Sequence, residues 1–425
     1  MQSYRGYWQS PWPGEDGGPE RMQMPQGLPG LGLAQGERLA VTERRLTAAT
    51  MIVLRDPGEV YLLRHTVYRS FVGLPTTSRV ERIDPERLAP LERSPELPGG
   101  PFWPGGLAAH ANGSLYVVYG CYCHRLGADC TLLASHRLPR PRPYNSFVIL
   151  DDGVLVMKEI QREGRERSHL SVLDPERLAP LCAEVECPEP SVARLSAQGN
   201  TLYVIGTRSA FRYRWDPGRA RLELDETWRP PYLTSPDQSY GWDAVIDGTN
   251  AWFMDNGAHT YKYHLRGEGV ARGPVHLVRA SLAAGGEWEM QVISGRPRGT
   301  ITNPPLFAQE RGIAVAYDAS HAVLVAWRFD EGGAGGAGRW QPLWRKEGFA
   351  CASHFVYFPD TGELVTNDFH RLLGDDVVVL DIETGREKAR ARVGSLYQSV
   401  LFPAPGWRRD VYYTSFSKIA RVFAR

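Results

Sequence analysis

From about residue 50 onward, hydrophobic and polar positions repeat one local arrangement. A short apolar run meets a polar turn carrying glycine or Asp-Pro, and a second run rich in Val, Tyr and Leu follows. Eight copies begin near Met51, Leu107, Phe147, Val192, Ala244, Leu306, Phe355 and Val400. Such turns between β-prone runs are hairpin signals. No stretch shows the 3.6-residue period of an amphipathic helix. The copies recur about every 50 residues, near the period of propeller repeats.

Most hairpins are followed by a third and a fourth strand joined by a polar turn. Four antiparallel strands per repeat make one propeller blade. The strongest mark of repetition is an octapeptide that occurs twice, Asp84-Pro-Glu-Arg-Leu-Ala-Pro-Leu91 and Asp174-Pro-Glu-Arg-Leu-Ala-Pro-Leu181. It falls at the turn between third and fourth strands, where Pro presets the backbone and Asp accepts from nearby amides. The last copy supplies only three strands, whereas the segment around residues 37–46 has no hairpin partner. The expected fold is therefore an all-β single propeller of eight blades, or seven if a terminal copy is irregular. An N-terminal strand completes the last blade and closes the ring, which removes exposed edges. Two stacked sandwiches are the rival, disfavoured by the regular four-strand grammar. The Gly-rich stretch 331–338 reads as a loop within one blade.

Two regions follow: a flexible Pro/Gly-rich arm over 1–36, with Trp8, Trp12 and Met22 able to pack onto the body, and a propeller domain over 37–425. A formal net charge of +1 gives no general attraction to nucleic acid or to membranes. Neither a signal peptide nor a membrane span is recognisable, so a cytoplasmic protein is expected. Cys121, Cys123 and Cys130 with His124 match no standard zinc spacing; free thiols or local Cys123–Cys130 and Cys182–Cys187 disulfides suit them better.

Topology places the acidic Asp-Gly and Asp-Pro turns on one face of the ring. The other face receives the starts of the inner strands and the loops between second and third strands, where propeller pockets open. Inner-strand starts contribute Asn145, Ser191, Trp242, Asp243, Asn303, Ser353, His354, Gln398 and Ser399. Loops add His259, His321 and His370, and the first-blade loop from His65 through Tyr68 and Arg69 is expected to overhang the channel as a lid. Convergent polar groups in a concavity are the default binding site. Oxygen donors around a channel suit Ca²⁺, favoured here over a transition metal held by histidines. The alternative is that the same groups cap strand ends. With no nucleophile elbow, phosphate-binding Gly loop or zinc-protease helix, no nucleotide cofactor is expected.

The segments Gly105–Gly120 and Val377–Gly394 resemble blades of the bacterial NHL and YVTN type, and of gluconolactonase- and strictosidine-synthase-like propellers. The resemblance implies a calcium lactonase site built on Asn145, Asp243 and Asn303 by position, although the expected first-blade Glu is not evident. Asp381-Ile-Glu-Thr-Gly385 is similar to a turn of quinone-dependent dehydrogenases, which repeat it in most blades; it occurs here once, so no quinone cofactor is expected.

The resulting expectation is a soluble propeller binding a small organic molecule at the channel mouth, with no nucleic-acid or membrane partner. It would act as a metal-assisted hydrolase, lactonase or lyase. Asn145, Asp243 and Asn303 would be metal ligands and His354 the acid/base, while Trp242, Gln398, His321, His370, Tyr68 and Arg69 would contact substrate. The alternative is a non-catalytic protein–protein interaction scaffold centred on the Tyr68–Phe71 loop.

Overall fold

The computed structural model describes residues 4–161, 165–330 and 338–425, which leaves most of the Gly-rich stretch, 331–337, outside the described residues. Eight antiparallel sheets follow one another in chain order, each running outward from its first strand. The fold is the expected eight-bladed propeller. Blades 1 to 7 occupy residues 49–93, 106–137, 144–186, 196–224, 245–292, 306–347 and 356–392. Blade 1 carries an extra strand, Leu97–Gly100, paired with the start of its third strand.

Blade 8 is assembled from both ends of the chain. Ala404–Pro405, Asp410–Thr414 and Lys418–Ala424 supply three strands, and Leu39–Arg45 pairs with Lys418–Ala424 as the fourth. This is the closure expected from the three-strand count of the last repeat.

Burial explains the residue patterns within each blade. A second strand such as Leu115–Tyr119 is buried at all five positions because neighbouring blades cover both of its faces. It therefore reads as an unbroken apolar run, whereas the outer strand Leu132–Arg137 alternates exposed and half-buried positions.

The two octapeptides adopt the same turn. Asp84 Oδ1 accepts from the Arg87 amide at 2.7 Å, and Asp174 Oδ1 accepts from the Arg177 amide at 2.7 Å. Leu88 and Leu178 then take positive φ, 61° and 55°. Leu in this conformation costs about 1–2 kcal/mol. Both side chains are fully buried, which contributes about 1.5–3 kcal/mol and offsets the strain.

Of the two states expected for the cysteines, the structure has free thiols at all six positions. Cys123 and Cys130 belong to different apolar clusters of blade 2, so no disulfide joins them. His124 is engaged with Pro98 O and Ser135 Oγ, which leaves it no role as a zinc ligand. No helix among the described residues is long and apolar enough to cross a membrane.

The N-terminal segment is a strap and not a loose arm. Its Trp12, Arg21, Gln23 and Leu31 are buried. Its carbonyls accept from the inner strands of blades 1, 2, 4, 5 and 7: Trp12 O from Leu54 N, Pro13 O from Ala109 N, Pro19 O from Ala197 N, Glu20 O from Ile246 N and Gln23 O from Tyr357 N. The strap thus crosses the channel on the face of the acidic turns, then enters blade 8. Its polarity, which suggested solvent, serves instead to satisfy strand ends that point into the channel.

Candidate functional site

The strap inserts charge into the channel. Arg21 Nη1 lies 3.0 Å from Asp16 Oδ2 and 3.2 Å from Glu15 Oε1. Glu15 Oε1 is also 2.6 Å from Arg194 Nε, and Arg194 is fixed by Asp243 at 3.4 Å. Asp16 Oδ1 lies 2.9 Å from His354 Nδ1. All six side chains are at most 6% exposed. Burial alone would raise the Asp16 carboxyl; the adjacent His354 and Arg21 outweigh it and hold the group below its ordinary value. Burial likewise opposes the Arg21 charge, but Glu15, Asp243 and Asp16 keep it firmly protonated. Asp16, Arg21 and Gln23 all take left-handed backbone conformations, with φ of 55°, 57° and 58°. Such strain persists only where surroundings over-determine it. The distal end of the channel is therefore sealed by an ion cluster.

The proximal end stays open. A cavity of about 440 Å³ is lined by Trp103, Trp242, His259, Tyr261, Arg194 and Asn303, among others. Trp103 and Trp242 stack with ring centres 6.0 Å apart and planes 20° apart, and His259 continues the stack at 6.4 Å and 15°. Trp242 Nε1 donates to Gly257 O at 3.1 Å. Arg194 reaches from the ion cluster to the cavity, so its guanidinium links floor and plug.

The lid over this cavity comes from blade 5, whereas the first-blade loop was expected. Residues 255–275 join the second and third strands of blade 5 and cross toward blades 6 to 8. Asn256 closes the base of the loop, donating from Nδ2 to Gly273 O and Pro274 O and accepting from Ser239 N. Farther out, Tyr261 Oη donates to Gln398 O at 3.0 Å, and Gln398 Oε1 accepts from Leu265 N at 2.8 Å. Gln398 is thus a buried anchor for the lid.

The residues expected as metal ligands occupy inter-blade contacts. Asn145 Nδ2 donates to Val192 O at 2.6 Å. Asp243 accepts from the Arg194 amide with one oxygen and pairs with its guanidinium through the other. Asn303 Nδ2 donates to Ala352 O and Val400 O. Each ties one inner-strand start to a neighbouring blade, the two asparagines through their amide nitrogens and Asp243 through Arg194. Among the described residues no three His, Cys, Asp or Glu groups are placed to hold a metal. His354 faces Asp16 in the plug and packs on Phe402 with ring centres 4.0 Å apart.

The remaining expected residues scatter. His321 Nδ1 bonds Asp318 at 2.8 Å, and His370 stands beside Asp368, Asp376 and Arg390. Neither converges with His259. Tyr68 and Arg69 lie on the short turn Val67–Val72, where Arg69 pairs with Glu96 at 3.2 Å, away from the cavity lining. Of the residues singled out in the sequence, Trp242, His259 and Asn303 line the cavity. Trp103, Arg194 and Tyr261 escaped the sequence reading, although Trp103 and Arg194 lie just ahead of inner strands and obey the rule that selected Trp242.

No protein-family model and no curated protein matches the chain. Solved structures do. A quinohemoprotein alcohol dehydrogenase from Pseudomonas putida HK5 superposes with a TM-score of 0.61 at 10% identity, covering 97% of this chain and 80% of that one. A europium-containing methanol dehydrogenase gives 0.62 at 10% identity over 97% and 98%. Sqt1 from Chaetomium thermophilum gives 0.58 at 11% identity over 89% and 97%. At such identities the likeness is one of fold: this chain shares the propeller architecture of dehydrogenases and of Sqt1 alike.

Proposed function

We propose that the chain is a ligand-binding propeller whose proximal cavity takes a small planar organic molecule bearing an anionic group. The near-parallel array of Trp103, Trp242 and His259 around a cavity of about 440 Å³ carries this reading. Aromatic faces favour offset stacking against a flat partner. Lys262 on the same lining supplies the positive charge. Binding is preferred to metal-assisted hydrolysis because Asn145, Asp243 and Asn303 are engaged between blades.

Isothermal titration with planar aromatic carboxylates, 2-naphthoate first, tests this. The expected result is saturable one-to-one binding, weakened about tenfold or more by Trp103→Ala, the scale of one lost stacking contact. Failure of the whole series to bind, or binding indifferent to both Trp103→Ala and Lys262→Gln, removes the reading.

The interaction-scaffold alternative draws its support from the Val67–Val72 turn, where Phe71 is 79% and Val72 71% exposed.

A further inference from the structure

Exposed apolar side chains concentrate on the face that bears the cavity mouth. Leu372 and Leu373, in the loop between the second and third strands of blade 7, are 96% and 56% exposed, and Leu396, in the link to blade 8, is 80% exposed. The three belong to one surface, because Val393 and Gly394 donate backbone hydrogen bonds to Asp375 O. The blade 5 lid joins it: Tyr263, 60% exposed, stacks on Tyr397 with ring centres 5.4 Å apart, and His264 packs beside Phe369. On the same face, Phe71 and Val72 form a second apolar tip on blade 1.

Cations are interleaved with these tips. Lys262, Arg266 and Arg371 are exposed, and none has an ion-pair partner among the described residues. The contrast with nearby arginines is sharp, since Arg390 and Arg392 are both paired with Asp376 on the outer edge of blade 7. A net charge of +1 over the whole chain conceals this local excess.

We propose that this face docks onto an anionic lipid surface, with Leu372, Leu373 and Leu396 entering the interfacial layer and Arg266 and Arg371 meeting headgroups. Apolar side chains flanked by unpaired Lys and Arg are the makeup of interfacial binding. Tyr263 and Tyr397 suit the headgroup level, where amphipathic rings concentrate. Separate loop tips on one face match a laterally continuous fluid surface. A protein partner would instead favour a connected, charge-depleted patch.

Flotation of the full chain with vesicles of phosphatidylcholine alone, or of phosphatidylcholine with one-third phosphatidylglycerol, tests the proposal. The chain is expected to float with the anionic vesicles and to be released by high salt. A Leu372→Ser/Leu373→Ser/Leu396→Ser variant should lower partitioning by on the order of 100-fold, from the apolar area withdrawn. Arg266→Gln/Arg371→Gln should lower it about fivefold per cation. All five side chains are exposed, so unchanged thermal unfolding confirms that each variant is folded. Failure to float with either vesicle, equal flotation with neutral vesicles, or undiminished flotation of the leucine variant would overturn the proposal. A dimer in sedimentation velocity that the leucine variant dissociates would also overturn it, and assign the surface to a second copy.

Discussion

The two ends of the central channel are built from opposite materials. At the distal end the strap delivers Glu15, Asp16 and Arg21 into a buried cluster with Arg194, Asp243 and His354. At the proximal end the wall is aromatic and the lid is a loop held by a few hydrogen bonds. Buried charges are costly unless each is paired, so the sealed end tolerates little change. Aromatic walls pack against whatever is flat, so the open end accepts exchange. Rigidity and receptivity are thus separated along one axis.

The sharpest way to break this contrast is to remove one charge from the plug. Arg21→Met leaves Glu15 and Asp16 short of a partner and should cost roughly 3–5 kcal/mol in urea unfolding. Trp103→Ala at the half-exposed rim should cost about 1 kcal/mol by the same measurement. Equal costs would erase the distinction between the ends.

A titration sharpens the comparison next. Glu20 of the strap is pushed up to about 7, chiefly by burial, against 4.5 in the unfolded chain. Between these values the folded state holds a proton that the unfolded state has released. This contribution to stability is complete below pH 4.5 and is lost as pH rises to about 7, by at most ~3 kcal/mol. Glu20→Gln should flatten that slope in unfolding curves recorded from pH 4 to 8, whereas Lys262→Gln at the mouth should leave it intact.

A smaller perturbation addresses the lid. A Cβ added at Gly257 would sit 2.0 Å from the Trp242 ring, so Gly257→Ala must displace the central member of the stack. Weaker naphthoate binding, by about tenfold, with little change in unfolding is expected. The smallest effect should come from the repeated turns, remote from both ends. Asp84→Ala and Asp174→Ala each remove an oxygen that accepts turn amides and should cost about 0.5–1 kcal/mol apiece. Unequal losses would show that the two turns are not equivalent.

The architecture was legible because each blade repeats the same physical problem. Hairpin turns, runs buried on both faces and the strand missing from blade 8 all leave marks in linear order. Trp242 and Asn303 were found because inner-strand starts must face the mouth. The rest was hidden for two reasons. Asn145, Asp243 and His354 have the right chemistry at the right register, yet Asn145 Nδ2 is held by the neighbouring blade, Asp243 by Arg194 and His354 by Asp16 of the strap. The strap itself is rich in Pro, Gly and polar residues, so it resembles solvated chain; its partners are strand ends hundreds of residues away, such as Gln23 with Phe355.

The closure of blade 8 has a temporal side. Lys418 meets Glu43 across 375 residues of chain, and among the described residues Leu39–Arg45 pairs with no strand but Lys418–Ala424. The segment that ribosomes make early must therefore wait for one made near the end before the ring can seal. Until blade 7 has been made the strap lacks its bonds to Phe355 and Tyr357, and the channel floor stays incomplete.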